Sequence, residues 1–193
     1  MLKQSYMKKI YLFVTFLLAA LLLQNCKKDT VTATATSANL FFAVINDTTW
    51  NADTVNASIT YNSATKSKIF TCSGIGLNKE INMSVTQNNA PATTGFPLAT
   101  YNVSTTSDVQ MSYYTEQKNS AGADVLAPQG TVGPGSGTII ITAIDSVKKI
   151  ITGTFSCSTM KNNYDSNGNI VSVYRSQISA GAFNNMPYKL VNN

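Results

Sequence analysis

Thr138-Ile139-Ile140-Ile141-Thr142-Ala143-Ile144, the connection Asp145-Ser146-Val147-Lys148-Lys149, and Ile150-Ile151-Thr152-Gly153-Thr154-Phe155-Ser156-Cys157-Ser158-Thr159 together decide the fold. Isoleucine and threonine lose side-chain freedom in a helix and fit a pleated surface, so both runs read as strands. Five residues are enough to reverse the chain between them, which makes the stretch an antiparallel pair.

The same pattern recurs on both sides. Ile81-Asn82-Met83-Ser84-Val85 alternates apolar and polar residues, and so does the run holding Val109, Met111 and Tyr113. A period of two with one apolar face is the signature of a half-buried antiparallel strand. Leu40-Phe41-Phe42-Ala43-Val44-Ile45 is a further apolar run, followed by an Asn46-Asp47 turn and a short strand around Trp50. Strands are also expected at residues 57–61, 68–72, 99–104 and 170–180, and Asp165-Ser166-Asn167-Gly168-Asn169 is expected to be a hairpin turn of type I′. That makes eight or nine strands and no helix. The expected fold is all-β, a single antiparallel β-sandwich or flattened β-barrel, because many short strands must close or cover their edges.

Composition agrees. Thr, Ser and Asn make up about a third of the chain, a mixture poor in helix formers. The folded body is expected over residues 40–193, long enough for one core without staples.

Upstream, Lys8 and Lys9 precede an apolar run at residues 10–23, and Leu23-Gln24-Asn25-Cys26 precedes Lys27-Lys28-Asp29. A run of that length spans roughly 21 Å as a helix, short of the ~30 Å hydrocarbon core. Residues 1–25 therefore read as a signal peptide, with Met7 a second candidate start. Leu23-Gln24-Asn25-Cys26 resembles a bacterial lipobox, with Asn25 where a small residue is commonest. Cys26 is accordingly the expected lipid attachment, and residues 26–39 the lipidated cysteine and a flexible tether. The expected address is the cell envelope, on the outer membrane through a lipid anchor. No later segment is long and apolar enough to suggest a spanning helix.

The formal charge of +5 is mostly the signal's. Without Lys3, Lys8 and Lys9, eleven basic residues face nine acids, so no nucleic-acid partner is expected. Two cysteines remain beyond Cys26. Phe70-Thr71-Cys72 and Phe155-Ser156-Cys157 each place the thiol on the strand face of an aromatic two residues earlier. Cys72 and Cys157 are thus candidates for a disulfide in an oxidising envelope, or two small buried hydrophobes.

Phe42-Ala43-Val44-Ile45-Asn46-Asp47-Thr48-Thr49-Trp50-Asn51-Ala52 resembles the F-A-x-[VI]-[ND]-G-x-x-W-x-A opening of a family of uncharacterised Bacteroidota lipoproteins, with Asp47 in place of the turn glycine. Ser136-Gly137-Thr138-Ile139-Ile140-Ile141-Thr142, Gly153-Thr154-Phe155-Ser156 and Gly181-Ala182-Phe183-Asn184-Asn185-Met186-Pro187 resemble its later segments. The resemblance implies an envelope β-domain and carries no catalytic residue.

The chain contains no histidine, which removes Ser-His-Asp, Cys-His and the common zinc arrangements. No glycine-rich phosphate loop opens a helix. Glu80, Glu116 and a few aspartates are the acids left for glycoside chemistry. Asp165-Ser166-Asn167-Gly168-Asn169 departs from a calcium loop in its glycine position and lacks the closing acid. No catalytic residue, metal or cofactor is therefore expected. The expectation is a non-catalytic binding or structural module, for a glycan, a protein or a small apolar ligand. A calycin-like carrier is the alternative, and a glycan-active enzyme a more distant one. Trp50 is expected in the core. Tyr101, Tyr113, Tyr114, Tyr164, Tyr174, Phe96 and Tyr188 could line a ligand face, and the segments 88–98 and 118–137 are the expected recognition loops.

Overall fold

The computed structural model describes residues 40–192. The expected signal peptide, Cys26 and the tether lie outside the described residues. Twelve strands are found among those residues: β1 (Phe41–Ile45), β2 (Thr48–Asn51), β3 (Thr54–Asn62), β4 (Ser67–Gly76), β5 (Lys79–Gln87), β6 (Thr100–Asn102), β7 (Val109–Lys118), β8 (Asp124–Pro128), β9 (Thr131–Asp145), β10 (Ile150–Tyr164), β11 (Ile170–Pro187) and β12 (Lys189–Asn192). They form two six-stranded sheets. Sheet I runs β2-β1-β11-β10-β9-β6 and sheet II runs β12-β3-β4-β5-β7-β8. The sheets pack face to face as an open β-sandwich, which corrects the flattened-barrel alternative.

Three expectations fail on count and pairing. The segment 118–137, expected as one irregular loop, contains β8 and the first part of β9. Leu126 of β8 pairs with Glu116 of β7, and Thr131 of β9 pairs with Met160 of β10. β8 is largely exposed on both faces, so it has no apolar pattern to betray it. The last residues, beyond the final strand expected at 170–180, form β12, which runs parallel to β3 with Lys189 opposite Ser58. The sandwich is therefore not purely antiparallel. The turn at Asp165 is also not type I′. Only Gly168 has positive φ there, and the Asp165 carbonyl accepts the Gly168 N–H, as in a type I turn with a glycine bulge.

Alternation places the core. Phe41, Ile59, Phe70, Ile81, Val85, Ile139, Ile141, Ile151, Ile178 and Phe183 are fully buried or nearly so, each worth about 1.5–3 kcal/mol of apolar burial. The facing sheets interlock through rings. Phe70 of sheet II lies 5.8 Å from Phe183 of sheet I. Within sheet I, Phe41 stacks on Phe155 at 5.0 Å, and Trp50 lies in the same core, edge-on to Phe41.

Tight turns fix the register of sheet II. Leu77 and Asn78, both at positive φ, join β4 to β5 so that Gly76 faces Lys79. Because strand side chains alternate, every second residue of β3, β4, β5 and β7 points away from the core, and these turns decide which ones line up.

Candidate functional site

The outward positions of sheet II align as two rows. Asn56, Ser73, Asn82 and Ser112 are successive cross-strand partners over β3, β4, β5 and β7. Ser58, Thr71, Ser84 and Gln110 form the adjacent row, which Lys189 of β12 extends. Most of these side chains are small, so the face is hollowed into an open concavity of about 620 Å³, edged by Pro187, Tyr188 and Lys189.

Eight hydroxyl and amide side chains thus share one surface, and among the described residues Lys189 at the rim is the single charged one lining it. Ser58 and Thr71 hydroxyls already bond each other at 2.8 Å. The other groups offer both donors and acceptors to a ligand lying across the strands. Intervening residues such as Met83 and Cys72 are buried on the core side and contribute their backbone to the floor.

The candidate residues read from the sequence are dispersed. Cys72 and Cys157 sit on opposite sheets as free, buried thiols, so no disulfide joins them in this structure. Cys72 Sγ lies 3.9 Å from Met186 Sδ. Burial pushes the Cys157 thiol up to about 12 and the Cys72 thiol well above its ordinary value, which keeps both protonated and poor nucleophiles. Glu80 and Glu116 share the outer face of sheet II with Tyr114, and neither lines the concavity. No group of three acidic or cysteine side chains able to hold a metal ion occurs among the described residues. The Asp165 carboxylate is occupied by its own turn: it accepts N–H bonds from Asn167 and Asn169 and an amide bond from the Asn169 side chain. Those bonds hold its pKa below the usual carboxylate value.

The aromatic residues do not form one ligand face. Tyr113 is core and Tyr114 faces out beyond the end of the concavity. Tyr164 and Tyr174 are exposed far along β10 and β11. Phe96 is buried against Phe70 and Tyr101, and thereby anchors the segment 88–98. That segment, expected to be a recognition loop, is held at four further points. Lys68, 1% exposed, donates from Nζ to the Thr93 carbonyl, the Thr93 hydroxyl and the Gly95 carbonyl at 2.8–2.9 Å. Tyr188 donates to the Thr94 carbonyl at 2.9 Å. Nothing in the sequence signals this role for Lys68 beyond its parity, which is that of Phe70 and Cys72.

The polar rows are present in the sequence as outward positions of separate strands, but their alignment is not a local property. No helix of the described residues is long and apolar enough to cross a membrane. No curated protein and no solved structure matches the chain. A family model described as a domain of unknown function, DUF6252, matches residues 37–187, and the chain belongs to that family.

Proposed function

We propose that this is a lipid-anchored cell-envelope protein whose β-sandwich is a non-catalytic binding module, and that it takes a neutral, hydroxyl-rich chain, a glycan, across the outer face of sheet II. One observation carries the ligand class: eight aligned uncharged hydrogen-bonding side chains over four strands, with no charge on the floor. An anionic ligand would want a cluster of Arg or Lys, and an apolar one a dry pocket. A sugar chain offers hydroxyls at a repeat comparable to the strand spacing and exchanges its water for Ser, Asn and Gln at little desolvation cost.

The anchor rests on Lys8-Lys9, the apolar run and the lipobox-like Leu23-Gln24-Asn25-Cys26. More than one acyl chain on Cys26 would make membrane attachment stable.

Two experiments separate the parts. Mass spectrometry of the N-terminal peptide is expected to show a diacylglyceryl group on Cys26, and Cys26→Ser to move the protein into the aqueous phase of a detergent partition. An unmodified Cys26 in the cell-derived protein defeats the anchor. Titration calorimetry with cellohexaose, xylohexaose, mannohexaose and laminarihexaose tests the face. At least one is expected to bind, and Asn82→Ala or Gln110→Ala to weaken it about fivefold to tenfold, as one lost hydrogen bond does. No heat from any of the four at millimolar concentration rejects the glycan reading.

A further inference from the structure

The β10–β11 hairpin outgrows both sheets. β9 follows β10 only to Met160, opposite Thr131, and β1 follows β11 only to Ile178, opposite Ile45. Beyond those points residues 161–176 continue as a two-stranded ribbon, with Lys161 opposite Tyr174, Asn162 opposite Val173 and Asn163 opposite Ser172. A two-stranded ribbon is marginal in water without a third strand or a covered face. This one also exposes Ile170, Val171, Val173 and Tyr174, at 47–68%.

The two edges of the ribbon differ. The β10 edge carries Lys161, Asn162 and Asn163, residues that discourage pairing. The β11 edge reads Ile170-Val171-Ser172-Val173-Tyr174-Arg175, a run rich in strand formers with no proline, no glycine and one charge at the end. Its hydrogen-bonding direction is set by Gln177. The Gln177 carbonyl accepts the Asn46 N–H at 2.9 Å and its N–H reaches the Asn46 side chain at 2.8 Å, so both groups point away from β10. With a period of two, Arg175 and Val173 turn their backbone N–H and C=O to that same side, where no strand of the described residues pairs with them.

We infer that the chain dimerises through this edge, β11 against β11 of a second copy, antiparallel about a two-fold axis at Val173. A second copy presents the same unpaired, strand-forming edge, and the charge pattern selects its direction. Antiparallel pairing sets each Arg175 opposite Val171 of the other copy, whereas an in-register parallel pairing would stack Arg175 on Arg175. At the axis the two Val173 residues exchange both backbone bonds, and Tyr174 meets Ser172. The result is a four-stranded sheet in place of two marginal ribbons, with a self-complementary contact that closes at two copies.

The full chain purified in detergent tests this. In an antiparallel hydrogen-bonded pair the two α-carbons lie about 5.5 Å apart, within disulfide reach. Val173→Cys is expected to give a disulfide-linked dimer at least tenfold faster than Val147→Cys, an equally simple exposed substitution in the β9–β10 turn. The native Cys72 and Cys157 are buried and stay out of the reaction, and both variants carry Cys26→Ser so that no third thiol contributes. Val173→Pro removes only an outward N–H, so it leaves the ribbon's own bonds in place. It is expected to raise the dimer dissociation constant at least tenfold in sedimentation equilibrium, with an unchanged circular dichroism spectrum. A wild-type chain that sediments as a monomer at 100 μM overturns the inference, as does a Val173→Cys variant that oxidises no faster than the Val147→Cys variant. So does a chain that stays monomeric while its β11 edge takes up an unrelated protein strand.

Discussion

The indole N–H of Trp50, on β2 at one edge of sheet I, donates to the carbonyl of Gly76, at the end of β4 in sheet II, at 2.7 Å. Next to it the chain crosses between sheets in two residues: the Ala52 N–H donates to the Phe41 carbonyl and the Asp53 N–H to the Ile75 carbonyl. Trp50 therefore clasps the two sheets where the connection is shortest. Trp50→Phe keeps a ring against Phe41 but loses the buried indole bond to the Gly76 carbonyl, which keeps its place opposite Lys79 in the β4–β5 ladder, at an expected cost of about 0.5–1.5 kcal/mol. Gly76→Ala is expected to cost more, because its new methyl would lie 2.6 Å from the Asn51 carbonyl oxygen and 2.9 Å from the Asp53 nitrogen, both backbone atoms. Urea unfolding of the two variants checks the order; equal stability of Gly76→Ala and wild type contradicts it.

Lys68 is buried with no carboxylate partner among the described residues. Its ammonium lies under the segment 88–98 with three oxygens as partners and the Tyr61 ring 5.9 Å away. Burial lowers its pKa. Lys68→Met fills a similar volume but orphans the Thr93 and Gly95 carbonyls. The expected cost is about 1–3 kcal/mol, concentrated in that segment. Hydrogen exchange should show faster exchange across residues 88–98 with little change in β10. Uniform loss of protection throughout the domain would mean that Lys68 supports the whole core and not the segment.

These residues also show how far the sequence could be read. Alternation placed the core faces of β5, β7 and β10 correctly because the polar and apolar positions differ in chemistry. β8 escaped because both its faces are wet, and its pairing is dictated by β7 and not by its own side chains. Lys68 had the parity of a core residue, yet only the returning segment 93–95 explains why a lysine is tolerated there. The polar rows of sheet II were equally hidden. Each strand shows its own Ser, Thr or Asn, but whether Ser73 meets Asn82 depends on a two-residue turn at Leu77-Asn78, one position of slip from a different surface.

Alkaline stability follows from three tyrosines. Burial raises the pKa of Tyr101, Tyr113 and Tyr188, and the Asp145 carboxylate adds to it at Tyr188. In the unfolded chain each titrates near ~10. Between that value and the folded one the unfolded state has lost protons that the native state keeps, so stability falls as pH rises. The contribution is whole below about pH 10 and is lost as pH climbs through the folded values. Lys68 acts in the opposite sense, because a lowered lysine pKa leaves the unfolded chain holding the extra proton. Tyr188→Phe is expected to be less stable at pH 7, having lost the bond to Thr94, but to lose less on going from pH 9 to pH 11. Parallel wild-type and variant curves across that range would refute the assignment.

Two hairpin turns hold L-residues where the backbone favours glycine. Asn46 and Asp47 between β1 and β2 have φ of 47° and 63°, and Leu77 and Asn78 between β4 and β5 have 47° and 60°. Positive φ costs an ordinary side chain roughly 1 kcal/mol, less for Asn and Asp, because the Cβ crowds the carbonyl. The Leu77 side chain can form no local hydrogen bond to offset it, and it is 69% exposed. Leu77→Asn and Asp47→Gly are both expected to stabilise, Leu77→Asn by about 0.5–1 kcal/mol and Asp47→Gly by less. Both turns border one hollow, lined by Asn46 and Thr48 from one side and Leu77 from the other, so the double variant measures how far their effects couple. Thermal unfolding of the single and double variants decides it. A destabilised Leu77→Asn would show that the exposed leucine contributes through its contact with the Trp50 end of the sandwich, where it lines a small hollow with Ile45 and Tyr113. In that case the turn's strain is offset by packing, and the register of the polar rows depends on that contact as well as on turn chemistry.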